Sequence, residues 1–138
     1  LEVGTLPVLA SADVVDLCFD KWATWQFLRR LGLGVPQVWL TPEQCKVALD
    51  RGEASFPLVV KPRWGSGSVG IVFPESYEEL VSVWRHGTRR LAPSPFAPDA
   101  LERDRLLLIQ ERLRGAEFGL DVVNDLSGRY VATFVKRK

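Results

Sequence analysis

The sequence has no methionine, one histidine and two cysteines in 138 residues. Two thiols far apart, with no C-x-x-C pair and a lone His86, exclude a disulfide framework and a zinc site. Cys18 and Cys45 are expected to be buried or half-buried thiols of a reducing compartment. No run reaches the ~18 apolar residues that would suggest a membrane-spanning helix. The first residues carry Glu2 and Asp13 and lack a basic leader, which argues against a signal peptide. Neither sign of charge dominates: a net charge of +1 draws the chain to neither nucleic acid nor a membrane. A cytoplasmic protein with neither partner is expected, and a homo-oligomer is left open.

What is present is globular, with 46% hydrophobic and 25% charged residues, enough for one domain with a core. The chain starts at Leu1 and stops at Lys138 inside an extended pattern, so both ends are expected to be cut from a longer protein.

Local signals set the expected element order. "LPVLA" (6–10) suggests a short strand, and Ser11 or Asp13 opens a helical stretch. "DKWATWQFLRRLG" predicts a helix capped by Asp20 and ended by Gly32, with Trp22 and Trp25 on a core face. "VPQVWL" (35–40) is extended; Thr41 with Pro42 starts another helix, running to Leu49. "LVVK" (58–61) and "GIVF" (70–73) predict two strands. Ser76 with Glu79 makes a capping box for a helix ending at Gly87, which puts His86 in its last turn. Residues 88–105 predict a surface loop with a short helix near 98–104. Strands over 106–112, 117–125 and 129–138 close the chain as a three-strand meander, with Gly128 at positive φ in the last turn. The sum is an α+β unit: an antiparallel sheet with flanking helices.

Between the strands 58–61 and 70–73 stands "GSGSVG", whose Gly65, Gly67 and Gly70 spell G-x-G-x-x-G. Glycine lets backbone N–H groups turn toward phosphate with no side chain in the way. A dinucleotide loop would run into a helix, with an acid ~20 residues on. Here a strand follows, and Arg85 stands at that distance. No Gly-Lys-Ser/Thr ends the run, so it is not a P-loop. A kinase would carry its lysine after the loop, with "HRD" and "DFG" beyond; here Lys61 precedes the loop and neither motif occurs.

"DK" at 20–21, "VVKP" at 59–62, "GSGSVG", and then "IQERLRGAEFGLDVV" from 109 resemble the ATP-grasp superfamily in order and spacing. The likeness covers nearly the whole chain. It is drawn most closely to the branch of carbamoyl-phosphate synthase large subunits and related carboxylate–amine or carboxylate–thiol ligases, through "FGLDVVND" and "FVKRK".

The resemblance implies an ATP-grasp fold in which the glycine run is a phosphate lid between two strands. Residues 1–54 would be a helical lead-in and linker, and 55–138 the lid subdomain and adenine hinge strands. Lys21 and Lys61 would contact phosphates, and Ser66, Gly67 and Ser68 would lie over the β- and γ-phosphates. Gln110 would flank the exocyclic amine of adenine, Glu111 offer its backbone carbonyl, Leu113 its backbone N–H, and Glu117 hold the ribose hydroxyls. Val59, Ile71, Leu108 and Leu113 would sandwich the base. The implied reaction activates a small carboxylate or bicarbonate as an acyl-phosphate and joins it to an amine. The Mg²⁺ ligands, an acid and an E-x-N pair, would lie beyond Lys138. No catalytic or metal residue is therefore assigned, and the chain alone is not expected to turn over.

Each assignment has a plainer counterpart. Arg63 and Trp64 suit a lid or a bare surface equally. Asp121 shares a strand face with Glu117 and Gly119. Lys136, Arg137 and Lys138 suit an anion site or a solvated strand end. A regulatory ATP-binding module and a structural α+β domain with a glycine connector are the alternatives to a ligase.

Overall fold

Asp20 shows how local chemistry sets the first well-capped helix. Its backbone is extended, and its carboxylate accepts the Trp22 N–H at 2.9 Å, which satisfies one of the helix's unpaired donors. In the computed structural model, which describes residue 4 and residues 8–65, 67–91 and 105–138, α1 spans Ala12–Phe19 and α2 spans Lys21–Arg30. Gly32, at φ +72°, follows α2. Then come β1 (Val38–Trp39), α3 (Pro42–Asp50), β2 (Leu58–Pro62), α4 (Tyr77–Leu91), β3 (Leu107–Glu111), β4 (Phe118–Asn124) and β5 (Tyr130–Arg137). Thr41 caps α3 as expected, its hydroxyl accepting the Gln44 N–H at 3.2 Å. Among the described residues, no helix is long and apolar enough to cross a membrane.

Two compact units make up the chain: Ala12–Arg112, and Leu113–Lys138 together with the residues up to Ser11. In the first, β3 lies between β1 and β2, antiparallel to both. The register pairs Val60 with Ile109, Lys61 with Leu108 and Val59 with Gln110. Strand pleating sorts these residues onto two faces. Leu58, Val60, Leu107 and Ile109 form the core with Cys45 of α3 and Leu80 of α4. Val59, Lys61, Leu108 and Gln110 share the opposite face. Leu106 through Ile109 are all buried, as suits a strand flanked on both sides.

The second unit is a hairpin: β4 pairs with β5 from Phe118↔Arg137 to Asn124↔Tyr130, with a register shift at Val123/Asn124. Its turn is held by Asp125, whose Oδ1 accepts from Ser127 N at 2.9 Å, Ser127 Oγ at 2.6 Å and Arg129 N at 2.9 Å. Gly128 takes φ +81° there, as expected.

Four expectations need correction. The last three strands are no meander: β3 pairs with β1 and β2, because its apolar run is stabilised at the centre of a sheet rather than beside a charged hairpin. Residues 70–73 form no full strand. They are tied to β2 by one bridge, Val60↔Val72, with N–H···O bonds of 2.8 and 2.9 Å, and the Pro74 carbonyl accepts the Leu58 N–H. The fourth helix runs through Gly87 to Leu91. A Cβ at Gly87 would stand 2.9 Å from Leu107 Cδ1, so this glycine serves close helix–strand packing rather than termination. Residues 8–10 are not a strand; the rest of that expected strand, and the short helix near 98–104, fall outside the described residues. The Ser76 box does form, although the Glu79 carboxylate accepts the N–H of Glu75 and not that of Ser76.

Candidate functional site

β2 ends at Pro62 and hands the chain to the glycine run. The backbone there takes positive φ at Gly65, Gly67, Ser68 and Gly70. Left-handed residues in a tight loop turn N–H groups toward a concavity that suits an anion. Gly70 is needed for a second reason: at φ +75°, a Cβ would press on Pro62 Cγ at 3.1 Å. Ser68 holds φ +60° without being glycine, a conformation that costs roughly 1–2 kcal/mol for an L-residue.

Below this run lies a cavity of about 370 Å³ lined by Phe19, Lys21, Lys61, Gly65, Ser68 and Ile71, among others. Two lysines thus reach one cleft from separate elements. Lys21, the first residue of α2, donates from Nζ to the Gly65 carbonyl at 2.8 Å and to the Arg63 carbonyl at 3.4 Å. Lys61 donates to Gln110 Oε1 at 2.6 Å. Burial pulls the Lys21 ammonium below the usual lysine range, with the nearby Asp20 charge opposing. Burial, and then the charge of Lys21, pull Lys61 the same way. The partners described for the two ammonium groups are neutral oxygens, so the cleft concentrates positive charge that these hydrogen bonds leave unneutralised.

Gln110 sits in β3 diagonally across from Lys61, and its Nε2 donates to the Glu111 carbonyl at 3.4 Å. The Glu111 carboxylate accepts the Gln37 N–H at 3.0 Å, and its own N–H donates to the Gln37 carbonyl at 2.9 Å, which fastens the strand end. Ile71 and Val59 are partly exposed near this face, whereas Leu108 is 1% exposed and so closed to a ring. Gly67 and Ser68 are exposed; Ser66 lies outside the described residues.

Leu113 and Glu117 belong to the hairpin unit. Glu117 accepts from Lys138 Nζ at 2.6 Å, and Asp121 pairs with Lys136. The two carboxylates do share a face, and the basic strand end is taken up largely by these pairs.

Sequence reasoning missed the role of Asp20 beyond its cap, and of Arg63. Arg63 is buried rather than a surface residue, and it forks onto the Asp20 carboxylate at 2.8 and 2.6 Å. Nothing in local sequence couples residues 43 positions apart; the hint was an arginine directly after an apolar strand. Cys18 is exposed, against expectation, because α1 buries no residue; Cys45 is buried, which pushes its thiol up to about 11. Trp22 and Trp25 stack on each other at 4.7 Å and stay partly exposed, outside the core. Among the described residues, no three His, Cys, Asp or Glu side chains gather as a metal site would need.

Comparison with known proteins identifies the family and the fold. The family model of the ATP-grasp domain matches residues 18–137. A D-alanine--D-alanine ligase of Ectopseudomonas mendocina (strain ymp) is 30% identical over 89% of this chain and 36% of its own length. One of Pseudomonas entomophila (strain L48) is 33% identical over 84% of this chain and 31% of its own. The chain spans about a third of the length of the curated relatives it matches. The crystal structure of the D-alanine-D-alanine ligase from Helicobacter pylori shares the fold, with a TM-score of 0.58 at 19% identity over 87% of this chain and 33% of that one. These relatives carry the name of D-alanine--D-alanine ligases, not of carbamoyl-phosphate synthases. The two strands that suggested the latter pair with each other as an exposed hairpin, and their apolar and charged residues need no more than that.

Proposed function

The chain belongs to the ATP-grasp family, and from that premise we propose that it holds the nucleotide for an ATP-dependent carboxylate–amine ligase. The observation that carries this reading is the convergence of Lys21 and Lys61 on one cleft beneath a glycine loop, with neutral partners. Two cations in a partly desolvated cleft hold a polyphosphate more strongly than surface lysines would.

In this reading Lys21 and Lys61 bind phosphate oxygens. Gly67 and Ser68 lie over the outer phosphates. Gln110 and the Glu111 carbonyl fix the edge of the base; on the hairpin unit, taken by itself, Leu113 offers its N–H to a base and Glu117 its carboxylate to ribose hydroxyls. ATP, when bound, supplies the phosphoryl group that activates a carboxylate for attack by an amine. The chain's own residues contribute positioning and charge rather than covalent chemistry. Mg²⁺ would accompany the ATP in this reading. The names of the relatives favour an amino-acid carboxylate as substrate over the bicarbonate suggested by the hairpin motifs. Cytoplasmic location accords with a nucleotide-dependent ligase.

Titration calorimetry of the full-length protein with Mg-ATP tests this. Binding is expected, with a loss of roughly tenfold or more in Lys61→Ala, as for a charged hydrogen bond. No binding, or an unchanged affinity in Lys61→Ala, would overturn the reading.

A further inference from the structure

Arg63 stands where β2 gives way to the glycine run, and among the described residues it is the buried charged side chain, 7% exposed. Its Nε and Nη2 donate to Asp20 Oδ1 and Oδ2 at 2.8 and 2.6 Å, with side-chain exposures of 8% and 13%. A two-point fork fixes orientation as well as distance. The same Asp20 oxygen that meets Nε also caps α2. Around the pair the backbones are joined: the Lys21 N–H donates to the Arg63 carbonyl at 3.1 Å, Asp20 bridges Trp64, and the Arg63 N–H donates to the Leu106 carbonyl at 2.9 Å.

Lys21 follows Asp20 directly, and Gly65 lies two residues past Arg63. The 2.8 Å contact from Lys21 Nζ to the Gly65 carbonyl therefore depends on two backbone segments that the fork clamps together. Stability alone does not call for an ion pair here, since buried pairs are often replaceable by packed apolar residues. Aim does call for one, because a four-carbon lysine stem magnifies any tilt of the helix start.

Resting on the ATP-holding reading above, we propose that Asp20 and Arg63 are positioning residues: their fork locks the first turn of α2 to the entry of the glycine run and aims the Lys21 ammonium into the phosphate cleft. The claim is that they act on nucleotide only through Lys21.

A double-mutant cycle by calorimetry on the full-length protein with Mg-ATP tests it. Asp20→Asn keeps the helix cap but removes the charge of the fork. Its affinity is expected to fall about tenfold, a typical charge-assisted effect. In a Lys21→Ala background Asp20→Asn is expected to cost nothing more, whereas with Lys61→Ala the losses multiply. Arg63→Lys, which keeps charge and loses the fork, should behave as Asp20→Asn does. If wild type binds no Mg-ATP, the ATP reading falls and this proposal with it. If wild type binds but Asp20→Asn binds equally well, or its loss persists without Lys21, the positioning role alone is overturned. If Asp20→Asn does not fold, as judged by its melting curve, Arg63→Lys runs the same cycle. If neither folds, the pair is a determinant of the fold, and the positioning role is overturned.

Discussion

The Lys61 ammonium donates to the Gln110 side-chain carbonyl at 2.6 Å, joining β2 to β3 across 49 positions on the face turned away from the core. A neutral acceptor orients the lysine without discharging it. Held this way, the charge remains available to an anion in the cleft.

Polyphosphate binding by the two lysines, as proposed, is expected to depend on pH. Burial holds both below the usual lysine range, Lys61 with further help from the charge of Lys21. A bound anion favours the protonated forms, so binding takes up protons where the free lysines are partly neutral. Affinity is expected to fall as pH climbs through the depressed values toward 10.5. Calorimetry near neutrality and above about pH 9, in buffers of different ionisation enthalpy, reads that uptake.

The unliganded protein shows the opposite sign. Between the depressed values and 10.5, the unfolded chain binds more protons at these sites, so stability from this source rises with pH. Wild type is therefore expected to gain on Lys61→Met as pH rises through that window. Paired urea melts check it; a constant difference would count against the lowered lysine.

Glu117, proposed to hold ribose hydroxyls, has no proposed role toward phosphate. Its pair with Lys138 is exposed, so Glu117→Gln should leave the melting temperature where it was. Affinity for ATP is expected to drop several-fold, about 1 kcal/mol for a lost hydrogen-bonding charge, while inorganic tripolyphosphate binds as before. Equal losses for both ligands would remove Glu117 from the ribose.

Gly87→Val places a branched side chain where even a Cβ would meet Leu107 Cδ1 at 2.9 Å. Leu107 is buried and cannot move aside freely, so overpacking should cost about 1–3 kcal/mol. Denaturant melts measure it.

Ile109→Ala empties a fully buried site at the centre of the three-stranded sheet. The loss should be about 2–5 kcal/mol, with the larger values if the cavity stays open. A shift of the urea midpoint with unchanged slope would identify it as a stability effect.

Much of this molecule is legible in short windows. Asp20, Thr41 and Ser76 mark helix starts because a cap needs only a side-chain oxygen and an N–H two or three residues on. Lys61 before a glycine run is legible for the same reason: strand, lysine and loop are contiguous. Gly87 misled, since the sequence cannot tell a glycine that ends a helix from one that lets a helix approach a strand. The hairpin signal around Gly128 was sound, yet adjacency in sequence wrongly placed β3 beside it. Apolar content on both faces of β3, satisfied only between β1 and β2, decided its partners.

By itself the sequence determined the helix caps, the strand that delivers Lys61, the hairpin turn and the conformational freedom of the glycine run, all effects that act within a few residues. Only the tertiary structure decided that Lys21 meets Lys61 in one cleft, that Gln110 orients Lys61, and that Arg63 turns inward to Asp20. Those outcomes join residues 40 or more positions apart. They arise because a charge leaving water must find its counter-charge or acceptor wherever the folded backbone brings one.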